Sequence, residues 1–505
     1  MHYNSITDIH VINKIKPLSA EKKITISSDD NPGNEISLKR VLGVTTAILL
    51  VAGNIIGTGV FKKIVPMAAT GLSEHYILGA WILAGIVTML GAFSIAGLAK
   101  LTTEAGGNVE YLRLCYGDFF SFLYGWAYFM ILGSGSIAAV SFIFSQSFNS
   151  LFHLPDPLYS LQNISIGAIH PFADSGIKLV AIAAIALLTW YNYRGIKKGT
   201  ALNNFVTTAK IVGILLLIVL GLFFSHAPVT STAAVIEAPL KNISNLSWLA
   251  IFFGVMLNAF WSYDGFANVA AASAEIKNPK RNIPRAIIGG VSIVLFLYVL
   301  INYAFMKAMP LHELASIPDN KVAAIVVADS IIGNTGTIMI SILVLLSTFG
   351  YLNVAILLFS RYYYRMAQEQ LFFKSVAKIH PVYQTPYIAL IYSMIWSSVL
   401  VLSGSFDVLT DMAVFGSFAF YVLLAIGLIK MKRKGLIKER IPGYPYAPIL
   451  FSLFILAVLI STFINNPIRT ITGILLILTG VPFYYYFSSQ KKKQKVLIQE
   501  NNLTS

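Results

Sequence analysis

Two short stretches of this sequence set glycine and polar side chains inside otherwise apolar runs. The first reads Gly53-Asn54-Ile55-Ile56-Gly57-Thr58-Gly59-Val60-Phe61, with Pro66 after it. The second reads Ala259-Phe260-Trp261-Ser262-Tyr263-Asp264-Gly265-Phe266-Ala267-Asn268. Glycine inside a helix costs about 0.8–1.0 kcal/mol relative to alanine, so Gly57 and Gly59 around Thr58 mark a place where a helix can unwind. Unwinding frees N–H donors at the start of the following half-helix, where the helix dipole favours an anion. It also frees carbonyl acceptors at the end of the preceding half. Donors beside acceptors suit a zwitterion, carboxylate on one side and ammonium on the other. On this chemistry Ile56, Gly57, Thr58 and Gly59 are candidate carboxylate binders, through backbone N–H and the Thr58 hydroxyl. Ile55 and the carbonyls of Trp261, Ser262 and Tyr263, next to Gly265 in the second stretch, are candidate ammonium acceptors.

Two ionisable residues stand in the same kind of surroundings. Lys210 lies in Thr207-Thr208-Ala209-Lys210-Ile211-Val212-Gly213, followed by a long apolar run. A lysine inside a membrane span costs about 2.5–3.5 kcal/mol on insertion scales and usually faces the protein interior, where it marks function. The alternative is a lysine that snorkels to the interface, because the apolar run begins only about nine residues earlier. Asp264 could recruit a cationic side chain, titrate with a proton, pair with Lys210, or satisfy free backbone N–H groups of an unwound turn. Lys62 and Lys63 follow Phe61 directly and either steer anions into a mouth or are simply solvated there.

The elements that must position these residues are membrane helices. Of 505 residues 56% are hydrophobic and 12% charged, where a soluble domain carries about 25% charged. The apolar residues come in blocks near the length that crosses a bilayer as a helix. The blocks predict about twelve transmembrane helices at 42–66, 76–99, 117–147, 176–193, 201–224, 249–273, 286–308, 334–364, 386–403, 407–430, 446–464 and 470–488. The segment from Leu311 to Ile332, with Pro318, Asp319, Asn320 and Lys321, reads as a loop with a short helix. Both glycine-interrupted stretches fall in such blocks, the first and the sixth. Two interrupted spans five apart are the pattern of an inverted repeat whose halves each open on a broken helix; helix packing on small residues is the plainer reading of the glycines.

The net charge of +15 does not indicate nucleic acid. Lysine and arginine gather in alternate loops, at Arg194, Lys197 and Lys198; at Lys277, Lys280, Arg281 and Arg285; at Arg361, Arg365, Lys374 and Lys378; and from Lys430 to Arg440. The tail adds Lys491, Lys492, Lys493 and Lys495, and Asp156, Asp174, Glu237, Glu313 and Asp319 occupy the intervening loops. By the positive-inside rule both termini are expected in the cytoplasm and the number of spans is even. Cys115 stands alone and has no internal disulfide partner; it falls in an expected cytoplasmic loop. The sequence offers no metal-ligand cluster, no phosphate-binding loop and no nucleophile with its base. No enzyme activity, metal or cofactor is expected.

The motifs resemble those of the amino acid–polyamine–organocation superfamily. Gly57-Thr58-Gly59-Val60-Phe61 is similar to its Gly-Ser-Gly-(Ile/Val)-Phe motif. Phe260-Trp261-Ser262-Tyr263-Asp264-Gly265 and Glu275-Ile276-Lys277-Asn278-Pro279-Lys280-Arg281-Asn282-Ile283-Pro284 resemble its sixth span and following loop. Ser347-Thr348-Phe349-Gly350-Tyr351-Leu352-Asn353 and Arg361-Tyr362-Tyr363-Tyr364-Arg365-Met366-Ala367 resemble its eighth. The resemblance covers spans one to ten and implies an all-α polytopic membrane protein of the LeuT-type 5+5 inverted-repeat fold, with alternating access. It implies that Trp261 gates the site and that Lys210 fills the cation site that sodium takes in other members, as a candidate proton carrier. Asp264 departs from many relatives, which have a neutral residue there.

The expected organisation is a cytoplasmic extension 1–38, a ten-helix core 39–431 with repeats at about 39–225 and 245–431, two further spans in 432–488, and a basic tail 489–505. The expected function is sodium-independent transport of neutral amino acids, by exchange or proton symport. The substrate is a small-molecule amino acid, with protons as a possible second partner. The expected location is the plasma membrane, the inner membrane of a bacterium. Basic amino acids or polyamines are the second substrate class, because Trp261-Ser262 and the Asn278–Asn282 loop resemble the arginine/agmatine exchangers, although Ala355 stands where those place an aromatic. Glutamate-type exchange, suggested by Lys62 and Lys63, is the third. A nutrient sensor that binds without translocating is the reading from a different class; the short termini weigh against it.

Overall fold

The computed structural model describes residues 38–165, 170–224, 245–318, 321–403, 406–465 and 467–504. The expected extension 1–38 lies almost wholly outside these residues. The described chain is helical throughout, apart from one isolated parallel bridge between Leu42 and Ile276.

The helices run in chain order as α1 (Val44–Ile55), α2 (Gly59–Lys62), α3 (Ile64–Ala68), α4 (Glu74–Leu98), α5 (Gly107–Tyr116), α6 (Asp118–Ala127) and α7 (Gly133–Phe152). They continue as α8 (Ser175–Tyr193), α9 (Ile196–Phe223), α10 (Asn245–Tyr263), α11 (Pro279–Ala308), α12 (Leu311–Ala315), α13 (Ala323–Ile332) and α14 (Asn334–Gln368). The last five are α15 (Tyr387–Ser403), α16 (Phe406–Arg433), α17 (Tyr446–Asn465), α18 (Pro467–Leu478) and α19 (Gly480–Thr504).

Ten helical stretches among the described residues are long and apolar enough to cross a membrane. The sequence predicts about twelve. The two that fall short are the first, whose helix stops after 12 residues at Ile55, and the ninth, α15, of 17 residues. The first is short because it breaks at Ile56–Thr58 rather than because it lacks apolar residues. Between Leu311 and Ile332 the chain forms the two short helices α12 and α13, in keeping with a loop rather than a span.

Three features were not expected. The chain between the second and third spans folds into α5. The third span is interrupted by a π-helical turn, Tyr128–Leu132, between α6 and α7; such single turns recur at functional sites. The fifth span starts at Ile196, earlier than the apolar run suggests, so Lys210 sits well inside α9.

Close helix approach rests on small residues, as in other membrane bundles. A Cβ on Gly290 of α11 would meet the Val51 side chain of α1, and one on Gly53 of α1 would meet Asn203 and Thr207 of α9. The first broken span is thus wedged between α11 and α9.

Candidate functional site

The backbone leaves the helix at both glycine-bearing stretches. At the first, Ile56 has φ −72° and ψ 87°, and the Gly57 N–H turns back to the Ile55 carbonyl at 2.8 Å. Helical bonding resumes at Thr58 and Gly59, with Phe61 N–H to Thr58 O at 3.2 Å and Lys63 N–H to Gly59 O at 2.9 Å. At the second, α10 ends at Tyr263, the Asp264 N–H bonds Trp261 O at 3.3 Å, and Gly265 takes φ +102°. A 3₁₀ segment, Asn268–Glu275, follows. Only glycine adopts that φ at little cost.

The two breaks lie against each other. A Cβ on Gly265 would stand 2.8 Å from the Asn54 carbonyl, and one on Gly59 would collide with Ser262, 2.9 Å from its Cα. Both glycines therefore serve close approach as well as unwinding. Asn268 joins the breaks from below: its Nδ2 donates to Asn54 Oδ1 at 2.9 Å, and its Oδ1 accepts from the Tyr128 and Tyr362 hydroxyls at 2.8 and 3.0 Å.

Lys210 is wholly buried, and its Nζ donates to Ile56 O at 2.7 Å and Gly53 O at 3.2 Å. This overturns the snorkelling alternative. The Lys210 nitrogen takes up carbonyls that the end of α1 leaves without helical partners. Ser347 of α14 adds its hydroxyl to the Ile56 and Gly57 carbonyls at 3.4 Å each, and the Tyr298 hydroxyl donates to Ile55 O at 3.1 Å.

Asp264 does not pair with Lys210 among the described residues. Its Oδ1 accepts from the Gly265 N–H at 2.7 Å and from the Tyr421 hydroxyl at 2.9 Å. The Gly265 bond is the contact expected of a side chain that satisfies the unwound turn.

A narrow cavity of about 30 Å³ lies between the breaks, room for a water or two. Ile55, Gly57, Thr58, Gly59, Trp261, Ser262, Asp264 and Gly265 border it. Two expected residues do not. Ile56 faces Lys210 instead, and the Tyr263 side chain is buried against Trp81, with its hydroxyl 3.2 Å from Trp81 O. Sequence reasoning missed the far wall, which is Tyr128, Ser136 and Val140 of the third span with Tyr351 and Phe359 of α14. The π-helical turn that begins at Tyr128 has no signature in the sequence.

Trp261 also borders a second cavity of about 190 Å³, together with Lys62, Lys63, Asn258 and Lys321. Thr58 and Gly59 are common to both cavities. Trp261 thus borders both the inner cavity and a wider vestibule that holds three lysines.

The opposite end of the site is shut. The Val41 and Leu42 N–H groups donate to Glu275 O at 2.9 and 3.0 Å, and the Lys277 N–H returns to Leu42 O at 2.8 Å. The Glu275 carboxylate forms a two-point ion pair with Arg361, both bonds 2.9 Å and both side chains 1% exposed. Next to it, Arg365 binds Glu110 of α5 at 3.0 Å, and Glu110 binds Arg113 at 2.7 Å.

Many apolar helices, two of them broken side by side around a small cavity with a vestibule on one side and a charged seal on the other, define a polytopic membrane transporter rather than an enzyme. The chain belongs to the amino acid permease family, of the amino acid–polyamine–organocation superfamily: the family model described as amino acid permease matches residues 42–487. It is similar to the serine/threonine exchanger SteT of Bacillus subtilis, 31% identical over 455 residues, 88% of this chain and 96% of the relative. The large neutral amino acids transporter small subunit 2 of Mus musculus is 27% identical over 460 residues, 90% of this chain and 82% of the relative. The Asc-type amino acid transporter 1 of Homo sapiens is 27% identical over 461 residues, 89% and 82%. The protein is an integral membrane amino acid transporter.

Proposed function

We propose that the protein is a sodium-independent exchanger of neutral amino acids that binds its substrate between the two breaks. The observation that carries this reading is the Lys210 nitrogen on the Gly53 and Ile56 carbonyls. In its protonated form this side chain supplies the charge that a bound sodium ion would bring, so the break needs no ion from solution. The carboxylate goes to the N–H groups and hydroxyl of Thr58 and Gly59, and the ammonium to the carbonyls of Ser262 and Tyr263. Trp261 closes over the bound molecule from the vestibule side.

The fold proposed with this function has twelve spans. Those in 39–225 and 245–431 form the inverted repeats of a LeuT-type core, and 432–488 supplies two more. The pairing of a broken first span with a broken sixth supports it. Both termini are cytoplasmic in this reading, so the Glu275–Arg361 seal is an inner gate and the lysine-lined vestibule faces outward. Exchange rather than proton symport is favoured by the name of the serine/threonine relative. A neutral substrate is favoured by the Asp264 carboxylate, which is held by the break and by Tyr421 rather than offered to a guanidinium.

Ligand-induced thermal stabilisation of the purified protein in sodium-free buffer tests the site. Serine, threonine or alanine should raise the melting temperature of the wild type and leave Gly59→Leu unmoved. Stabilisation by arginine or glutamate alone would replace the neutral-substrate assignment. Equal stabilisation of Gly59→Leu would remove the site from the breaks.

A further inference from the structure

The last helix changes character part-way. α19 carries Tyr484, Tyr485, Tyr486 and Phe487 and then Lys491, Lys492 and Lys493. Aromatic residues passing straight into a lysine run mark a membrane–water boundary. At that level a groove of about 270 Å³ opens between α19 and the segment that follows α14.

The groove is polar at its rim and aromatic at its floor. Gln370 and Lys374 stand on one wall, and Gln490, Lys491 and Gln494 on the other. The Phe487 ring lies below them, 5.4 Å from that of Phe373. Lys491 is held in place by Asp118, Nζ to Oδ2 at 2.8 Å. Among the described residues, the side chains of Gln370, Lys374, Gln490 and Gln494 have no partner within the protein. Two ammonium groups and three amides converge on one space, and no acid lines it. The neighbouring acids lie behind the wall: Asp118 and Glu369 reach Lys491 at 2.8 and 3.9 Å, and Glu369 also pairs with Arg365 at 2.8 Å, which leaves Lys374 as the ammonium with no acid beside it among the described residues.

We propose that this groove binds the phosphate head of an anionic phospholipid, with its acyl chains along the aromatic face of α19. Ammonium and amide N–H donors match phosphate oxygens, and basic pockets between helices at the membrane surface hold anionic headgroups in this way. A choline headgroup would set a quaternary ammonium against Lys374 and Lys491. The site therefore discriminates by headgroup charge. It stands apart from the cavity between the breaks, and the proposal does not depend on which amino acid is carried.

The test uses the full-length protein in nanodiscs of phosphatidylglycerol and phosphatidylcholine in equal parts. Native mass spectrometry counts the lipid retained after mild extraction. Preferential retention of phosphatidylglycerol by the wild type is expected, and Lys374→Gln should lower it about five-fold, the worth of one lysine at a membrane surface. Lys438→Gln, in a different loop, should leave it unchanged. Equal retention of the two lipids by the wild type overturns the proposal without recourse to any variant, and so does retention unaltered in a folded Lys374→Gln protein. Displacement of the lipid by glycerol phosphate in solution would assign the groove to a soluble phosphate ester and overturn the lipid assignment.

Discussion

Lys210 shows what a single buried charge does when the backbone around it is broken. Lys210 reaches two carbonyls at the end of α1, those of Gly53 and Ile56, and the second has besides it only the longer bond from Ser347. Hydrogen bonds to charged groups contribute about 1.5–3 kcal/mol each, so Lys210→Ala should lower transport about tenfold or more while the protein still purifies as a folded monodisperse species. Transport equal to wild type would reduce Lys210 to a packing residue. The glycines act by exclusion instead. Gly265→Ala brings a Cβ against the Asn54 carbonyl at a φ that alanine rarely adopts, and it should abolish substrate-induced thermal stabilisation. An unaltered melting shift would show that the two breaks can part without loss of binding. Cys115 gives a different kind of prediction. It is buried in α5, outside the spans, and burial pushes its thiol up to about 12. The thiolate is the reactive form, and at pH 8 almost none is present. Native protein should therefore resist maleimide at pH 8, whereas denatured protein should take up one equivalent. Rapid native labelling would mean that α5 opens readily.

At the scale of elements, the ends of the two broken spans are stitched together by backbone bonds between Leu42 and the Glu275–Lys277 segment. Arg361 of α14 then anchors that joint through Glu275. Breaking a buried ion pair by removing one partner costs about 3–5 kcal/mol, whereas replacing both can be nearly neutral. Arg361→Met should lower the thermal stability of the closed state and speed proteolysis of the neighbouring chain. Arg361→Met with Glu275→Leu should recover much of the lost stability. A double variant no better than the single would show that Arg361 acts through its bonds to α14 rather than through Glu275. Ten of the expected spans and both breaks were legible from apolar run length and from glycine placed among polar residues. The joints were not. Asn268 carries no local sign that it will bridge Asn54, Tyr128 and Tyr362, because its partners come from three distant segments. The same holds for Tyr298 on the Ile55 carbonyl. The early start of α9 was hidden as well, since Lys197, Lys198, Gly199 and Thr200 lower the hydropathy of a stretch that is nonetheless helical.

At the scale of the whole molecule, one end of the site is sealed by ion pairs and the other leads past Trp261 to a vestibule. Exchange requires the seal and the vestibule to trade roles around a fixed binding site. The candidate carboxylate and ammonium contacts come mostly from backbone, so family resemblance in the breaks says little about which side chain is carried. Ser136, Val140 and Tyr351 line the cavity opposite the breaks; of these only Tyr351 falls within a motif of the family.

The most direct test of exchange between the breaks is uptake of labelled alanine into sodium-free proteoliposomes, at equal pH inside and out, with vesicles either empty or preloaded with unlabelled serine, threonine and alanine. The account predicts uptake that depends on preloading and is lost in Gly59→Leu. Uptake as fast into empty vesicles as into loaded ones, or undiminished in Gly59→Leu, would contradict it.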